Sequence, residues 1–307
     1  MLFRSDRRPE PGAALAFETP VLPGDAAVPV VFPSPVAVSL PIEAPSALAC
    51  PPEGGVYVAG KTVVVRLDAE GVLGRRYAVA QSPRALACDG PGRLYLAFAD
   101  RVGALDTASG EVRLWERLGG NALLTSLACD GTRVYAADAG NRVVHCFGVD
   151  GVWIRDLGAS KAPGSGEGFV VPSPYLDVAF DAQGALWAVN PGRHGLEQYR
   201  EDGVRVSQWY RPGMTPDAFC GCCNPVHIAF GPDNVLYTAE KGLVRIKAFG
   251  PDTKLLGYVA PPGFFSGPEY ASWSNGEETA VADLGVDACG RVLALDAARG
   301  RLLIFAH

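Results

Sequence analysis

The residues best suited to chemistry lie close together in the second half of this 307-residue chain. Cysteines occupy positions Cys220, Cys222 and Cys223, and His227 follows four positions after the last of them. Thiolates and a neutral imidazole suit zinc, copper as Cu(I), or an iron–sulfur cluster, so the spacing allows a transition-metal centre. It also allows redox chemistry, in which Cys222 and Cys223 form a strained disulfide that Cys220 resolves. A third interpretation is that these cysteines are small buried residues that pack a tight loop.

Two polar loops flank the cysteine segment in sequence. The first reads NPGRH and the second begins with Glu-Lys-Gly and leads into a basic strand. His194 of the first loop could supply a fourth metal ligand or a general base, or it could simply cap its turn. The candidate residues of a ligand- or partner-binding face are Asn190, Arg193, His194, Glu240, Lys241, Arg245 and Lys247.

A repeated strand pattern must hold these loops. The repeating unit is an apolar tetrad, a turn that usually contains glycine, a strand with a central large side chain, a short polar loop and another strand. That central position is occupied by Tyr57, Tyr95, Tyr135, Trp187, Tyr237 and Leu293. Units of short alternating strands predict an all-β fold, a six-bladed β-propeller.

The two ends of the chain are expected to meet in one blade. The last unit stops after its third strand, and the spare strand-like segment is Val36–Leu40. We therefore predict a ring closed by an N-terminal strand. The predicted organisation is an N-terminal extension at 1–30 and a single six-bladed β-propeller at 31–307.

Three long insertions all connect the outer strand of one blade to the inner strand of the next. They are Gly158–Ser173, Arg211–Asn224 and Gly257–Ala280, and such connections emerge on one face of a propeller. The cysteine segment and both polar loops should therefore share one sector of that face. Aromatic side chains in and beside these insertions predict a contact surface, and the alternative for any one of them is that it folds down over the channel as a lid. They are Phe169, Tyr210, Phe219, Phe264, Phe265, Tyr270 and Trp273.

Two sets of polar residues recur at equivalent strand positions. His227 occupies the inner-strand position of Asp177 and Asp283, which should face the central channel as hydrated lining or as a ligand site. The second strands of four units end in oxygen-bearing residues, namely Asp138, Asn190, Glu240 and Asp296. Such oxygens could hold calcium, or they could bond the loops that follow.

The remaining cysteines and histidines favour structural roles. Cys50, Cys88 and Cys129 occupy one strand position that other units fill with phenylalanine, which predicts buried packing. His145 lies on a strand and is expected at the surface.

The chain resembles NHL-repeat propellers. The stretch from Leu127 to Phe147, LACDGTRVYAADAGNRVVHCF, follows the NHL pattern almost literally, and the resemblance covers about residues 45–306. The motifs NPGRH, FCGCCNP and AEKG are similar to those of a bacterial NHL subfamily with a C-G-C-C-N-P loop. Ala239 and Val244 depart from that subfamily's serine and proline. The resemblance implies the fold and the site, not a reaction, and similar proteins are often exported.

Composition excludes several classes of partner. The 27 Lys and Arg against 33 Asp and Glu give a net charge of −6 without a basic patch, which argues against nucleic acid. Prolines interrupt the longest uncharged stretch, 26–42, so no membrane span is expected. The basic segment at 1–8 is followed by Pro-Glu-Pro-Gly instead of an apolar run, so we expect no secretion signal and a cytoplasmic protein.

The sequence thus favours a binding or scaffold propeller that carries a metal or thiol-redox site on one face. A protein partner, a small-molecule ligand and a place in a redox assembly all suit this interpretation. The alternative is a calcium-dependent, lactonase-like hydrolase that uses the ring of Asp, Asn and Glu oxygens. No motif supplies a nucleophile, a base and an orienting acid together, so whether the protein is an enzyme stays open.

Overall fold

The computed structural model describes residues 21–88, 90–159, 167–273 and 279–306. Within these ranges the chain forms six four-stranded antiparallel sheets and three short 3-10 segments. The innermost strand of each sheet contacts the innermost strands of the two neighbouring sheets, so the sheets form a closed ring around a channel. The protein is a six-bladed β-propeller, as its repeats predict.

The strands divide among the blades as follows, with the innermost strand given first. Blade 1 contains β2 (Ala47–Ala49), β3 (Val56–Ala59), β4 (Val63–Leu67) and β5 (Leu73–Ala78). Blade 2 contains β6 (Ala85–Ala87), β7 (Arg93–Ala97), β8 (Val102–Asp106) and β9 (Val112–Leu114). Blade 3 contains β10 (Leu124–Cys129), β11 (Arg133–Asp138), β12 (Val143–Gly148) and β13 (Trp153–Leu157).

Blade 4 contains β14 (Val178–Phe180), β15 (Leu186–Asn190), β16 (Gly195–Tyr199) and β17 (Arg205–Tyr210). Blade 5 contains β18 (His227–Phe230), β19 (Leu236–Glu240), β20 (Arg245–Phe249) and β21 (Leu255–Ala260). Blade 6 contains β22 (Val281–Val286), β23 (Val292–Asp296), β24 (Arg301–Phe305) and, as its outermost strand, β1 (Val36–Ser39). The 3-10 segments are Asp25–Ala27, Pro191–Arg193 and Pro268–Trp273.

Burial explains why the second strand of each blade is apolar on both faces. Every residue of β3, β19 and β23 is buried, because each blade packs on a neighbour at both faces. Outer strands such as β5 are mostly exposed. Turns between strands rely on side-chain caps: the Asp181 carboxylate accepts the backbone N–H groups of Gln183 and Ala185.

The predicted ring closure is confirmed. Strand β1 pairs antiparallel with β24 in a register that sets Val36 opposite Ile304 and Ser39 opposite Arg301. Just before β1, Val30 forms a parallel bridge with Tyr258 of β21, and the Val31 N–H donates to the Tyr258 carbonyl. The chain just before β1 therefore runs along blade 5.

The blades are also joined on the channel side by bonds from a side chain of one blade to the backbone of the next. The Ser46 and Thr125 hydroxyls donate to carbonyls, and the Asp177 and Asp283 carboxylates accept N–H groups. The pairs are Ser46–Pro83, Thr125–Leu176, Asp177–Ile228 and Asp283–Leu48, at 2.7, 2.6, 2.7 and 2.8 Å. The last pair joins blade 6 to blade 1.

Removal of the closing segment should weaken the whole propeller. A chain that lacks residues 1–44 loses the buried side chains of Phe32 and Leu40 and exposes the edge of β24. Burial of two such side chains is worth about 4 kcal/mol, at about 2 kcal/mol each. We expect the melting temperature to fall by roughly 10 °C in a calorimetric scan. An unchanged melting temperature would contradict the closure.

Candidate functional site

The insertions and both polar loops meet on one face above blades 4, 5 and 6. The second insertion touches the loop after β19, because Asn224 accepts the Lys241 N–H at 2.9 Å. The first insertion touches the loop after β15, where Asn190 accepts the Val170 N–H at 2.9 Å. The third insertion begins after Ala260, because β21 extends to that residue. Residues 160–166 and 274–278 of these insertions lie outside the described residues.

Asn224 fixes the cysteine segment against the loop after β19. Its amide nitrogen donates to the carbonyl oxygens of Cys220 and Lys241, at 2.7 and 3.0 Å. Asn224 is fully buried, and the peptide bond between it and Pro225 is cis. The three cysteines are thus held at one backbone position relative to Lys241.

Cys222 and Cys223 form a thiol pair. Their sulfur atoms lie 3.2 Å apart, with Cys222 exposed and Cys223 fully buried. The Ser173 hydroxyl donates to the Cys223 sulfur at 2.8 Å, and the Lys241 ammonium donates to the Ser173 oxygen at 2.8 Å. Burial raises the pKa of the Cys223 thiol, and the Ser173 hydrogen bond opposes that rise. A polar chain therefore runs from Lys241 through Ser173 to the two sulfurs.

Cys220 and His227 lie in different surroundings from this pair. Cys220 is buried, and burial together with the Glu240 charge raises the pKa of its thiol. His227 faces the central channel, as its strand position predicts, with its ring Nδ1 3.8 Å from Asp177 Oδ2 and 3.9 Å from Asp283 Oδ1.

The residues of the cysteine segment do not fit a zinc or iron–sulfur centre. In the part of the chain that the structure describes, no three His, Cys, Asp or Glu side chains are placed to share one metal ion. Structural zinc and iron–sulfur clusters need about four such ligands. What the fold presents is two sulfurs in contact with a serine hydroxyl, an arrangement suited to thiol–disulfide exchange.

Three residues expected on the binding face are instead fully buried. Glu240 forms ion pairs with Arg245 at 3.0 Å and with Lys247 at 2.7 Å, and all three side chains are solvent-inaccessible. Asp25 of the N-terminal segment completes the group, 3.4 Å from Arg245, and also accepts a short hydrogen bond from Tyr258. Burial lowers the pKa of the Lys247 ammonium to about 8, although Glu240 opposes that shift.

This buried charge cluster, Asp25, Glu240, Arg245 and Lys247, holds the base of the cysteine segment. Arg245 and Lys247 both donate to the Ala218 carbonyl, at 3.1 and 2.9 Å. Buried charges are tolerated when they are paired and hydrogen-bonded, and this cluster contains two of each sign. It therefore fixes the insertion and the N-terminal segment to blade 5, and it offers no contact surface.

The NPGRH loop is also built largely from internal contacts. Asn190 is fully buried and donates to Glu197 at 2.8 Å. Arg193 pairs with Glu167 of the first insertion. His194 ends the 3-10 segment with a left-handed φ of 58°, and burial lowers the pKa of its imidazole. Arg193 and His194 remain partly exposed beside the first insertion.

The four oxygen-bearing residues at the ends of second strands bind their own blades. Asp296 accepts from Tyr270 and from Arg301, both at 2.7 Å. Asp138 accepts from Asn141 Nδ2 at 2.8 Å and contacts His145 at 3.1 Å. With Asn190 and Glu240 engaged as described, all four side chains are buried and bonded to the loops, strands and insertions around them.

The expectation that His145 lies at the surface is wrong. Its ring is buried between Asp138 and Asp156, at 3.1 and 2.6 Å. Burial opposes protonation, but the hydrogen bonds to the two carboxylates outweigh it and raise the pKa of His145 to about 9. The sequence could have indicated this contact. Strands β12 and β13 are consecutive and pair with each other, and their register sets Asp156 directly opposite His145.

Most of the aromatic side chains predicted as a contact surface belong to the core. Phe169, Phe219, Phe265 and Tyr270 are 5% exposed or less, because the insertions fold down over the blades and bury them there. Tyr210 and Phe264 are half-buried, and the side chain of Trp273 lies outside the described residues. Cys50, Cys88 and Cys129 pack against the core, but they are half-buried and not fully buried as predicted, because they also line the channel.

Solved structures of other proteins share this fold. The chain is similar to a streptogramin B lyase, with a TM-score of 0.61 and 14% identity over 89% of this chain and 96% of that one. It is similar to a gluconolactonase from Xanthomonas campestris, with a TM-score of 0.60 and 14% identity over 90% and 98%. A protein of unknown function from Bacteroides thetaiotaomicron matches at 0.61 and 13%, over 92% and 73%. At these identities the likeness concerns the propeller fold alone.

No protein-family model matches the chain, and no curated protein sequence matches it either. Among the described residues, no helix combines the length and the apolar character that a membrane crossing would need.

Neutralising Glu240 should destabilise the fold. Glu240→Gln leaves Lys247 buried without its carboxylate and leaves Arg245 with only the more distant Asp25, which should cost about 3–5 kcal/mol in the free energy of unfolding. The matched control is Glu201→Gln, because Glu201 pairs with Arg133 while its side chain is 76% exposed. That control should change the free energy by about 0.5 kcal/mol or less in urea unfolding. Equal effects in the two variants would contradict the buried role of Glu240.

Proposed function

We propose that this propeller is a binding protein that carries a reversible dithiol–disulfide pair, Cys222 and Cys223, on the face of its three insertions. The 3.2 Å contact between one exposed and one buried sulfur carries this proposal. An exposed thiol can meet an oxidant in solution, and a buried neighbour can complete the exchange within the protein. The fold likeness to a lyase and a gluconolactonase establishes a propeller and leaves the chemistry to this site.

The exchange is balanced with a low-molecular-weight or protein disulfide as the oxidant. The Cys222 sulfur attacks one sulfur of that disulfide, and one thiol leaves with the proton that Cys222 gave up. The Cys223 sulfur then attacks Cys222, which forms the Cys222–Cys223 bond and releases the second thiol with the Cys223 proton. The protein is oxidised by two electrons, and the disulfide is reduced to two thiols.

Lys241 and Ser173 support the buried partner of this exchange. When an incoming thiol reopens the disulfide at Cys222, Cys223 leaves as a thiolate in a buried place. The Ser173 hydroxyl already donates to that sulfur, and the Lys241 ammonium donates to Ser173. A charge-assisted donor chain of this kind stabilises a departing thiolate.

The binding role rests on the position of the pair. Cys222 is exposed at the junction of the first and second insertions, where a protein partner could reach it. A subunit of a redox assembly would combine such a binding role with the thiol pair. We place this function in the cytoplasm, where small thiols can reset the pair.

Counting thiols and metals tests the proposal. Protein that is purified without reductant and then unfolded should show two fewer reactive thiols than its eight cysteines, and reduction should restore them. Cys222→Ser and Cys223→Ser should each abolish the difference, whereas Cys289→Ser, an exposed cysteine elsewhere, should preserve it. Stoichiometric zinc, copper or iron in elemental analysis, or eight reactive thiols after incubation with glutathione disulfide, would overturn the proposal.

A second candidate is calcium-dependent hydrolysis of lactones. The fold likeness to a gluconolactonase favours it, together with the recurrence of Asp138, Asn190, Glu240 and Asp296. Against it, these four side chains are buried and satisfied within their own blades. A calcium ion would have to displace those bonds.

Lactone hydrolysis with and without calcium separates the two candidates. We expect no calcium-dependent turnover, because the buried oxygens are already bound. Turnover that a chelator removes, and that Asp138→Asn abolishes while the exposed Asp150→Asn preserves it, would establish the hydrolase instead.

A further inference from the structure

The central channel contains three titratable side chains that the thiol pair does not use. His227 and Asp283 lie on the inner strands of blades 5 and 6, and Asp177 occupies the equivalent position immediately before β14 of blade 4. His227 Nδ1 lies 3.8 Å from Asp177 Oδ2 and 3.9 Å from Asp283 Oδ1, too far for direct hydrogen bonds. One donor group placed among these three acceptors could bond to all of them.

The three side chains border an internal space. A channel cavity of about 340 Å³ is lined by all three, and a mouth cavity of about 480 Å³ above it, on the insertion face, is also lined by His227. The equivalent positions in blades 1, 2 and 3 are Ala47, Ala85 and Ser126, whose side chains are small and uncharged. A small organic molecule can therefore fit beside the three polar side chains.

Each side chain has bonding capacity left over. The carboxylates accept backbone N–H groups, Asp177 from Val178 and Ile228, and Asp283 from Leu48 and Leu284. Neither carboxylate forms an ion pair with Lys or Arg among the described residues, and both lie within 4 Å of His227. The His227 Nε2 atom is buried and has no hydrogen-bond partner. Buried polar atoms without partners are uncommon in folded proteins.

The protonation states of these three side chains determine the charge that a ligand of the channel should carry. Burial raises the pKa of Asp283 to about 8, with a contribution from Asp177, and burial raises that of Asp177 to about 6. Burial lowers the pKa of His227 to about 4. Near pH 7 the three groups together therefore carry about one negative charge and no positive charge. The other titratable side chains of the channel are Arg84, Cys50, Cys88 and Cys129, and Arg84 Nε bonds the Leu124 carbonyl in the opposite half.

We propose that the channel binds a small primary ammonium compound, such as an amino alcohol, an amino sugar or an amino-acid amide. The –NH3⁺ group has three donors, which match Asp177, Asp283 and His227 Nδ1. With Nδ1 as the acceptor, the neutral imidazole carries its proton on Nε2, on the opposite side of the ring from the ammonium. The ammonium supplies the positive charge that the three side chains lack.

Other ligand classes fit the channel less well. An anion would meet two carboxylates, and a bound metal ion would need ligands that the described residues do not bring together. A neutral molecule would leave Asp177 without a counter-charge. The proposal is independent of the thiol pair, because the site lies on inner strands and not in the cysteine segment.

Calorimetric titration with ethanolamine tests this site. Binding should release protons, because the ammonium favours ionised Asp283, and the affinity should rise about tenfold per unit between pH 6 and 8, where Asp283 is protonated in the free protein. N-acetylethanolamine, which has no charge, and acetate should bind at least tenfold more weakly. Heats measured in two buffers of different ionisation enthalpy report the proton count.

Variants then assign the contacts. Asp177→Asn and Asp283→Asn should each weaken ethanolamine binding at least tenfold. Asparagine keeps an oxygen for only one of the two backbone N–H groups that each carboxylate accepts, so a thermal scan must show that each variant is folded. Asp252→Asn, at an exposed turn, should bind as the unaltered protein does. Cys222→Ser should also bind normally, which separates this site from the thiol pair. Absence of ethanolamine binding at millimolar concentration, equal binding of N-acetylethanolamine, or full affinity in Asp283→Asn would overturn the proposal.

Discussion

Ring closure is the constraint on which the other features of this protein depend. Strand β1 completes blade 6 from the N-terminal side, and the Asp283 carboxylate joins the inner strand of that blade to Leu48 of blade 1. Closure removes the exposed sheet edge that an open ring would leave. It also fixes the angle between neighbouring blades, and so it determines which loops and inner strands approach one another.

Buried polar contacts add a second constraint in blade 5, where they hold the cysteine segment. The buried charge cluster ties Asp25, which precedes the closing strand, to the insertion that leads to the cysteines. Asn224 then locks the cysteine segment to Lys241. The thiol pair is thus placed on rigid strands through two layers of buried polar contacts, although Cys222 itself is exposed. A site held in this way can keep two sulfurs in contact without a disulfide.

The fold could be predicted almost completely from the sequence, because each blade repeats a pattern of short strands and turns that depends on local residues. The same argument placed Asp177, His227 and Asp283 together, because equivalent positions in a closed ring must face one channel. The surroundings of the insertions could not be predicted in this way. Ser173 meets Cys223, and Asp25 meets Arg245, across 50 and 220 positions of sequence, through contacts that no repeat encodes. Glu240 and Lys247 therefore looked like surface residues, although they neutralise each other inside the blade.

The most direct test is the redox equilibrium of the cysteine pair itself. The protein is equilibrated in glutathione buffers of graded potential, and the remaining thiols are alkylated and located by mass spectrometry of the peptide that contains residues 220–223. A reversible two-electron transition confined to Cys222 and Cys223 is the result we expect, with a tenfold change in the ratio of oxidised to reduced protein per about 30 mV. If both residues stay fully alkylated at every potential, or if Cys222 forms only a mixed disulfide with glutathione, Cys223 does not complete the exchange and the proposed function is wrong.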